Sequence, residues 1–399
     1  MHATSGLRAK VNGGLRLLGM ATGRPLVGPR LVGLEITHFC NLTCSFCESH
    51  SHFLQLPIVK RRDYAGGRKA MDLETIERLC RSLARLGTGW VELSGKGDPI
   101  VHPKLPEIIR AIKGAGLKCA MFTTGSVPRS DLAATIVDAG LDRLNLSLNA
   151  ASREVWSKVA GKDLWDKTLA FLTEVLERRR RSGGKHPWVR MSYVVCKENV
   201  EDVGRSVDLC CELGVDEGGW CVMGELPETV QLQLDAGEVK RLQEGIPGWA
   251  RKLDAHGITH DLAGLAEDLP LRIGVRGQQE NPMQRGLPCY EGWMHAVIAP
   301  DGEVSPCCYC EGTRLGNIVD QDFAEIWDGP RYVELRRRML AMARTNEPIC
   351  WECYTTCNRA LANREVHERL GPLKMFQPQP NGSGAARQPE PAATPAARP

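Results

Sequence analysis

Six short apolar runs, each followed by a segment of helical periodicity, constrain the fold of this 399-residue chain more than any other feature. The runs cover Leu31 to Ile36, Trp90 to Leu93, Lys118 to Phe122, Arg143 to Leu148, Val189 to Val195 and Gly219 to Met223. Consecutive parallel strands need long crossover connections, which are usually helices. The alternation therefore predicts an α/β fold whose strands form a partial (β/α)6 TIM-like barrel or open into a doubly wound sheet.

Local signals divide the chain further. Asp72 stands before the first long helical segment, where an aspartate caps a helix by accepting hydrogen bonds from its first turn. The segment from Ala151 to Arg181 predicts two helices, because Gly161 interrupts the pattern. We expect a basic N-terminal arm at 1–30, a strand-helix core at 31–230, a connecting helical segment at 231–284, a cysteine-rich unit at 285–365 and a disordered, Pro- and Ala-rich tail at 377–399.

The N-terminal arm has no acidic residue among its first 30 positions. Leu7, Val11, Leu15 and Leu18 recur at helical spacing and predict a short amphipathic helix. We expect this helix to pack over one end of the main domain. A contact with a membrane surface or a partner protein is the alternative.

Three cysteines follow the first predicted strand. Cys40, Cys44 and Cys47 have the spacing C-x3-C-x2-C, and the carboxyl end of a strand is where an α/β fold places its functional site. A four-iron cluster needs four thiolates to be fully ligated, so three leave one iron open. An open iron can bind a small molecule, which allows the cluster to take part in chemistry.

Composition excludes several function classes. Sixteen cysteines in a chain of this size, with no secretory signal, predict metal-bound or free thiols in a reducing cytoplasm rather than disulfides. The net charge of +3 is too small to favour nucleic acid as a partner. No run approaches the roughly 18 consecutive apolar residues of an integral membrane segment.

The cysteine motif, placed after the first of six strand-helix units, resembles that of the radical S-adenosylmethionine (SAM) enzymes, and the resemblance covers Leu31 to Leu361. It implies a [4Fe–4S] cluster whose open iron binds SAM. One electron from a reducing partner such as flavodoxin or ferredoxin then cleaves SAM to a 5'-deoxyadenosyl radical, which abstracts a substrate hydrogen atom. The cofactor supplies this chemistry, while the protein positions the reactants and excludes water.

The same resemblance implies further cofactor contacts. The turn containing Gly95, Gly97 and Asp98 matches the position that receives the methionine amino group, with Asp98 where glutamate is commonest. Ser147 and Asn149, which share one strand face with Asn145, match positions near the ribose. Arg190 is the candidate for the methionine carboxylate, with a surface position as its alternative. No general base is assigned.

A second group of cysteines occupies the C-terminal unit. Its pattern, Cys289-x17-Cys307 followed by Cys350-x2-Cys353-x3-Cys357, resembles the SPASM or shortened twitch domain of radical enzymes. The resemblance implies at least one auxiliary [4Fe–4S] cluster held by Cys289, Cys307, Cys350 and Cys353, with Cys357 as a substitute ligand. Cys308 and Cys310 leave a second, partly ligated cluster open, and a structural zinc site is a further alternative.

An enzyme that removes a hydrogen atom and releases an oxidised product must pass on one electron, and a fully ligated cluster can accept it. We therefore expect oxidation of a polar small molecule in a biosynthetic pathway. The 30 residues before the first strand are too few for a leader-binding domain, which favours a small molecule over a peptide. The alternatives are a peptide maturase forming a thioether or C–C crosslink, a radical methyltransferase or epimerase, and a non-catalytic iron–sulfur electron carrier.

Overall fold

A mainly parallel sheet is the centre of the structure. The computed structural model describes residues 2–51, 70–127, 131–224, 227–272, 287–308, 310, 313–345 and 360–371. Its strands are β1 (Leu31–Leu34), β2 (Trp90–Leu93), β3 (Lys118–Thr123), β4 (Arg143–Ser147), β5 (Trp188–Val195), β6 (Glu217–Val222), β7 (Thr259–His260), β8 (His295–Ile298), β9 (Glu303–Ser305) and β10 (Gly316–Asn317). All six predicted strands are present.

The described strands form one ten-stranded sheet in the order β10-β9-β8-β1-β2-β3-β4-β5-β6-β7. The strands from β1 to β7 are parallel, and β8 adds to the free edge of β1 in the same direction. Only β9 and β10 run antiparallel to their neighbours. The predicted α/β class with a parallel core is confirmed.

Helices connect the strands and cover the sheet. They are α1 (His2–Thr22), α2 (Leu73–Leu86), α3 (Leu105–Gly114), α4 (Leu132–Asp138), α5 (Arg153–Ala160), α6 (Trp165–Arg181), α7 (Val203–Leu213), α8 (Ala236–Ala255), α9 (Leu262–Asp268), α10 (Glu291–Met294), α11 (Phe323–Asp328), α12 (Pro330–Thr345) and α13 (Ala360–Leu370). Short 3₁₀ turns lie at Pro99–Val101, Val200–Asp202, Pro227–Leu232 and Leu269–Arg272. Within the described ranges, no helix is both long enough and apolar enough to span a membrane.

The local sequence signals explain where helices begin and end. Asp72 caps α2 as predicted, with its side chain accepting from the Thr75 N–H at 2.8 Å. Gly161 has a φ of 70° and separates α5 from α6, so the predicted pair of helices is confirmed. Ile76 and Leu83 of α2 are fully buried, and burial of each such side chain contributes about 1.5–3 kcal/mol.

The N-terminal helix α1 packs through Asn12, Arg16 and the fully buried Met20 rather than through its predicted apolar stripe. Asn12 Nδ2 and Arg16 Nη2 each donate to the Gly87 carbonyl at 2.9 Å. That carbonyl ends α2, and the end of a helix attracts cationic side chains. Leu7 and Val11 are 65% and 51% exposed. The helix packs on the main domain as predicted. The face that carries Asn12 and Arg16 lies against the domain because these side chains bind the Gly87 carbonyl at the end of α2.

The sheet extends beyond the predicted core on both sides. β7 lies in the segment expected to be a helical connection, yet it pairs in parallel with β6. On the other side β8, from the cysteine-rich unit, continues the sheet next to β1. The predicted ligands Cys350, Cys353 and Cys357 lie outside the described residues, as does the predicted tail at 377–399.

Candidate iron–sulfur sites

The first group of thiols, called here the barrel cysteine site, consists of Cys40, Cys44 and Cys47 on the loop after β1. All three are partly exposed. Burial raises the pKa of Cys40 to about 11 and that of Cys44 to about 12. Such thiols keep their protons at neutral pH unless a metal displaces them. The site therefore needs the positive charge of a metal centre before its thiols can act as thiolate ligands.

Asp98 joins the turn after β2 to the loops after β1 and β3. Its backbone N–H donates to the Phe39 carbonyl in the cysteine loop at 2.9 Å. Its carboxylate accepts from the Thr124 N–H at 2.9 Å, the Thr124 hydroxyl at 2.8 Å and the Ile100 N–H at 3.1 Å. Burial raises the pKa of Asp98, and these donors offset part of that effect. Protein groups thus occupy most of the carboxylate that was predicted to contact the cofactor.

A short chain of hydroxyl and amide groups continues from Thr124 to the cysteine loop. Thr124 Oγ1 and Ser126 Oγ are 2.8 Å apart, and Ser126 Oγ donates to Asn41 Oδ1 at 3.2 Å. Asn41 Nδ2 donates in return to the Ser126 carbonyl at 3.3 Å. Because Asn41 adjoins Cys40, this network positions the first ligand. Sequence reasoning missed Asn41 and Ser126, although small polar residues beside Gly125 at a strand end were the available signal.

Two glycines allow the β2 turn to approach the cysteine loop. A Cβ on Gly97 would lie 2.5 Å from the Thr37 carbonyl oxygen and 2.6 Å from that of Phe39. Gly95 has a φ of 123°, and a Cβ there would collide with the Glu35 side chain. The sequence resemblance assigns this turn to the methionine amino group. In the structure glycine permits the close approach of two protein loops.

Ser147 and Asn149 lie at the carboxyl end of β4, the same edge of the sheet as the barrel cysteine site. Ser147 ends β4 and pairs in register with Ser192 of β5. Asn149 has a φ of 55°, and its Oδ1 accepts from the Val194 N–H at 2.8 Å. Both residues are at the edge that the predicted ribose contact requires. The contact itself stays a prediction.

Arg190 lies away from this edge. It is the third residue of β5, five residues before the strand ends, which is about 17 Å at the usual rise of a strand. Its guanidinium pairs with Glu217 at 2.6 Å and with Asp261 at 2.5 Å. The prediction that Arg190 holds the cofactor carboxylate is corrected accordingly. Its inward charge is neutralised by acidic residues near the amino ends of β5 and β6.

Charged and imidazole groups also border the cysteine loop. His38 Nε2 is 3.5 Å from Glu35 Oε2, and Lys96 Nζ is 3.8 Å from Glu48 Oε2. His50 Nε2 lies 2.8 Å from the Lys96 carbonyl oxygen, and burial lowers the pKa of His50. Sequence reasoning did not assign Glu35 or His38 a place in the site. Their nearness to the three cysteines was the only signal for them.

The second group of thiols, called here the C-terminal cysteine site, consists of Cys289, Cys307 and Cys310. Their exposed fractions are 7%, 9% and 1%, whereas Cys308 is exposed. The Cys310 N–H donates to the Cys307 carbonyl at 3.2 Å, which folds these residues into a tight turn. Donation of the Cys307 thiol proton to the Cys310 sulfur, together with burial, raises the pKa of Cys307 well above its usual value. The structure thus brings together two of the predicted ligands and Cys310.

A buried cation packs beside this site. The Arg336 guanidinium carbon lies 4.4 Å from the Trp327 ring centroid, 4.6 Å from that of Tyr332 and 5.8 Å from that of Trp293. Its Nε donates to the Gly292 carbonyl at 2.8 Å. Burial lowers the pKa of Arg336 to about 10, so it remains charged at neutral pH. Among the described residues, Arg336 Nη2 and the Tyr332 hydroxyl have no hydrogen-bond partner.

The helix that carries this cation also holds one of the thiols. Tyr332, Arg336 and Met339 recur at helical spacing on one face of α12, and the Met339 carbonyl accepts from the Cys289 N–H at 3.1 Å. Burial and the nearby Cys307 raise the pKa of the Tyr332 phenol. The unpartnered Tyr332 hydroxyl therefore lies near the Cys307 thiol.

The donor chemistry of both sites fits iron–sulfur clusters, whose ligands are cysteine thiolates. In the part of the chain that the structure describes, no three His, Cys, Asp or Glu side chains gather closely enough to hold a single metal ion. A parallel α/β core with three thiols at the end of its first strand and a buried thiol group further on defines an iron–sulfur protein.

The comparison with family models names the two parts. The model of the radical SAM superfamily matches residues 34–210, and that of the iron–sulfur cluster-binding SPASM domain matches residues 289–354. The chain therefore carries a radical SAM domain followed by a SPASM domain. These matches confirm the predicted family, its enzyme class, and its cofactors: a [4Fe–4S] cluster, SAM and auxiliary iron–sulfur ligation.

Individual relatives match smaller parts. Probable GTP 3',8-cyclase of Metallosphaera sedula is 31% identical over 195 residues, which is 49% of this chain and 55% of the relative. The protein of the same name from Saccharolobus solfataricus is 30% identical over 195 residues, which is 49% of this chain and 56% of that protein. The matched region thus spans just over half the length of these curated relatives.

Solved structures share the fold over more of the chain. SuiB of Streptococcus suis bound to S-adenosylmethionine has a TM-score of 0.58 and 18% identity, covering 78% of this chain and 68% of SuiB. anSMEcpe with bound AdoMet has a TM-score of 0.57 and 15% identity, covering 86% of this chain and 96% of anSMEcpe. At such identities the likeness concerns the fold alone.

Proposed function

We propose that this chain catalyses the reductive cleavage of SAM. The resulting radical removes a hydrogen atom from an unactivated carbon of the substrate, and the substrate is then oxidised. The observation that carries the proposal is the barrel cysteine site itself. Three partly exposed thiols, with no fourth in their motif, lie at the strand ends of a radical SAM domain. A fully ligated electron carrier would have no use for an open iron.

The residues of the chain hold and orient the reactants. Cys40, Cys44 and Cys47 would hold the cluster, which when bound would supply the electron for SAM cleavage. Asp98 fixes the turn after β2 against the cysteine loop, so these protein segments are held together before SAM binds. Ser147, at the same sheet edge, is the candidate contact for the ribose. Fixed geometry matters because a misplaced carbon radical would attack other nearby C–H bonds.

The C-terminal cysteine site completes the electron balance. When the substrate loses a hydrogen atom, 5'-deoxyadenosine forms and a substrate radical remains. Loss of one proton and one electron then gives the oxidised product. The auxiliary cluster is the proposed acceptor of that electron, and burial of its thiols suits transfer of electrons without access of water.

A polar small molecule is the proposed substrate. Strands β4 and β5 carry polar residues at alternate positions, including Asn145 and Ser147 of β4 and Ser192 of β5. Polar side chains that are withdrawn from water need polar partners. The curated relatives are named for a nucleotide, GTP, which belongs to the same broad class of substrate. We place the reaction in the cytoplasm with flavodoxin or ferredoxin as the reductant.

Peptide modification is the second candidate. It is favoured by a structure of SuiB bound to the precursor peptide SuiA and by one of anSMEcpe bound to AdoMet and a peptide. These neighbours cover 78% and 87% of this chain. Activity screening should therefore include short peptides beside nucleotides and sugars.

The test is anaerobic reconstitution followed by incubation with SAM and dithionite, with 5'-deoxyadenosine measured by mass spectrometry. We expect the wild type to form 5'-deoxyadenosine and Cys44→Ala to form none above background. Cys211→Ala is the matched control, because Cys211 is also partly exposed but lies on α7. Equal yields from Cys44→Ala and the control would refute the proposal. With a substrate identified, irreversible deuterium transfer into 5'-deoxyadenosine separates oxidation from an epimerase or methyltransferase that recycles its radical.

A further inference from the structure

The turn at the end of β9 contains two adjacent cysteines that differ in exposure, since Cys307 is buried and Cys308 is exposed. Cys307 and Cys310 are 9% and 1% exposed, whereas Cys308, between them in sequence, is exposed. The thiols of Cys307 and Cys310 are close enough to hydrogen-bond to each other. The Cys310 N–H to Cys307 carbonyl bond at 3.2 Å closes the turn that brings these side chains together.

A third thiol reaches the same region from another element. Cys289 precedes α10, and its N–H is held by the Met339 carbonyl of α12 at 3.1 Å. Cys289 and Cys310 are both close enough to Cys307 to raise its pKa, and all three side chains are buried. The region is thus a buried group of thiols supplied by the start of α10 and the turn after β9.

We propose that Cys310 is a ligand of the auxiliary iron–sulfur cluster, together with Cys289 and Cys307. A C-x2-C turn can direct two sulfur atoms to one metal centre, because its ends are close and its backbone N–H groups can point toward the ligand atoms. The proposal deepens the proposed function by defining the ligand set of its electron acceptor. It does not depend on which substrate the enzyme oxidises.

A purely structural role for Cys310 is the competing explanation. Its sulfur lies 3.2 Å from the Thr313 hydroxyl, which would satisfy a buried thiol. That role does not account for the contact with Cys307 or for the convergence of Cys289 on the same place. It makes a different prediction for Thr313, since removal of the hydroxyl would disturb a structural thiol but not a metal ligand.

The experiment compares Cys310→Ala, Cys308→Ala and Thr313→Ala with the wild type after anaerobic reconstitution. Iron, sulfide and zinc are counted per chain, and EPR spectra are recorded after reduction. The wild type should hold about eight irons in two clusters. We expect Cys310→Ala to lose about four irons or to show a three-iron EPR signal, while the other two variants match the wild type.

Folding and cofactor identity are checked separately. Cys310→Ser keeps the size of the side chain and replaces sulfur by oxygen, so it should give a changed auxiliary EPR spectrum even if alanine disturbs the fold. Wild-type iron content and spectra in both Cys310 variants would overturn the proposal, as would zinc bound in place of iron at this site. SAM cleavage at the barrel cysteine site should persist in Cys310→Ala. A loss of Cys310 ligation is therefore distinguishable from failure of the proposed function.

Discussion

The two cysteine sites differ in how far the fold encloses them. The barrel cysteine site lies on a loop at the sheet edge, and all three of its thiols are partly exposed. The C-terminal cysteine site is buried between α10, α12 and the turn after β9, beside a cation enclosed by aromatic rings. The same ligand chemistry thus occurs once on a partly exposed loop and once in a protein interior.

This difference in exposure shows how two sites with the same ligand type can have different functions in one chain. At the barrel cysteine site the protein contacts are with the loop backbone and with Asp98, so the sulfur side of the loop stays accessible to a ligand. At the C-terminal cysteine site the thiols are buried, and the unpartnered Tyr332 hydroxyl lies near Cys307. Access favours binding of SAM, and enclosure favours control of a reduction potential.

The largest expected effect on SAM cleavage comes from a substitution at Gly97, where the turn after β2 packs closely against the cysteine loop. In Gly97→Ala, the new Cβ would lie 2.5 Å from the Thr37 carbonyl oxygen, and backbone cannot move as cheaply as a side chain. We expect 5'-deoxyadenosine formation to fall by about a hundredfold, with the auxiliary cluster retained. Iron counting with EPR and the SAM cleavage assay measure both.

Gly114→Ala is the control, because a Cβ on Gly114 meets nothing within 4 Å. It should leave cleavage and iron content unchanged. Full activity in Gly97→Ala would show that the barrel cysteine site tolerates displacement of its loop, and the contrast between the two sites would weaken.

A smaller effect is expected from Asp98→Asn. The amide would turn one acceptor of the carboxylate into a donor facing the Thr124 or Ile100 N–H. Leaving such a buried group unsatisfied costs about 1–3 kcal/mol, so the free energy of unfolding should fall by that amount. Chemical denaturation of the apoprotein measures it.

Asp138→Asn, at an exposed position on α4, is the matched control and should not change stability. If Asp98→Asn unfolds like the wild type but no longer binds SAM, then Asp98 serves the cofactor directly rather than the loops. That result would restore the role predicted from sequence.

The smallest expected effect concerns Tyr332→Phe at the C-terminal cysteine site. The hydroxyl has no partner among the described residues, so its removal leaves no protein group unsatisfied. If it donates to the auxiliary cluster, loss of one hydrogen bond of about 0.5–1.5 kcal/mol lowers the reduction potential by about 20–60 mV. Redox titration followed by EPR measures the shift.

Tyr193→Phe is its control, because the Tyr193 hydroxyl donates to the Asn199 carbonyl within the core. That variant should lose some stability and keep the auxiliary potential. An unchanged potential in Tyr332→Phe would mean that enclosure, without hydrogen bonding, sets the properties of the buried site.

The sequence predicted the parallel core and the place of the barrel cysteine site, because apolar runs and helix caps are local signals. It placed Arg190 at the start of β5, but it did not predict the pairing of Arg190 with Glu217 and Asp261, since these residues are remote in the sequence. It also did not predict that Arg16, on the polar side of α1, donates a hydrogen bond to the Gly87 carbonyl at the end of α2. Contacts that join remote segments have no local signature.

The position of Cys310 in the C-terminal cysteine site was not predicted for the same reason. From spacing, Cys308 and Cys310 were extra thiols that left a second, partly ligated cluster open, whereas the fold brings Cys310 against Cys307 and buries it. A turn brings Cys307 and Cys310 to one side of the chain. The packing of α12 against the start of α10 determines whether Cys289 is buried near them.

The contrast between an open and a closed cluster is tested most directly by EPR of single-cluster proteins with and without SAM. Cys310→Ala should retain the barrel cluster, and Cys44→Ala should retain the auxiliary cluster. We predict that SAM changes the spectrum of reduced Cys310→Ala and leaves that of reduced Cys44→Ala unchanged. A SAM-dependent change in Cys44→Ala, or none in Cys310→Ala, would contradict the assignment of an open site to the barrel and a closed site to the C-terminal domain.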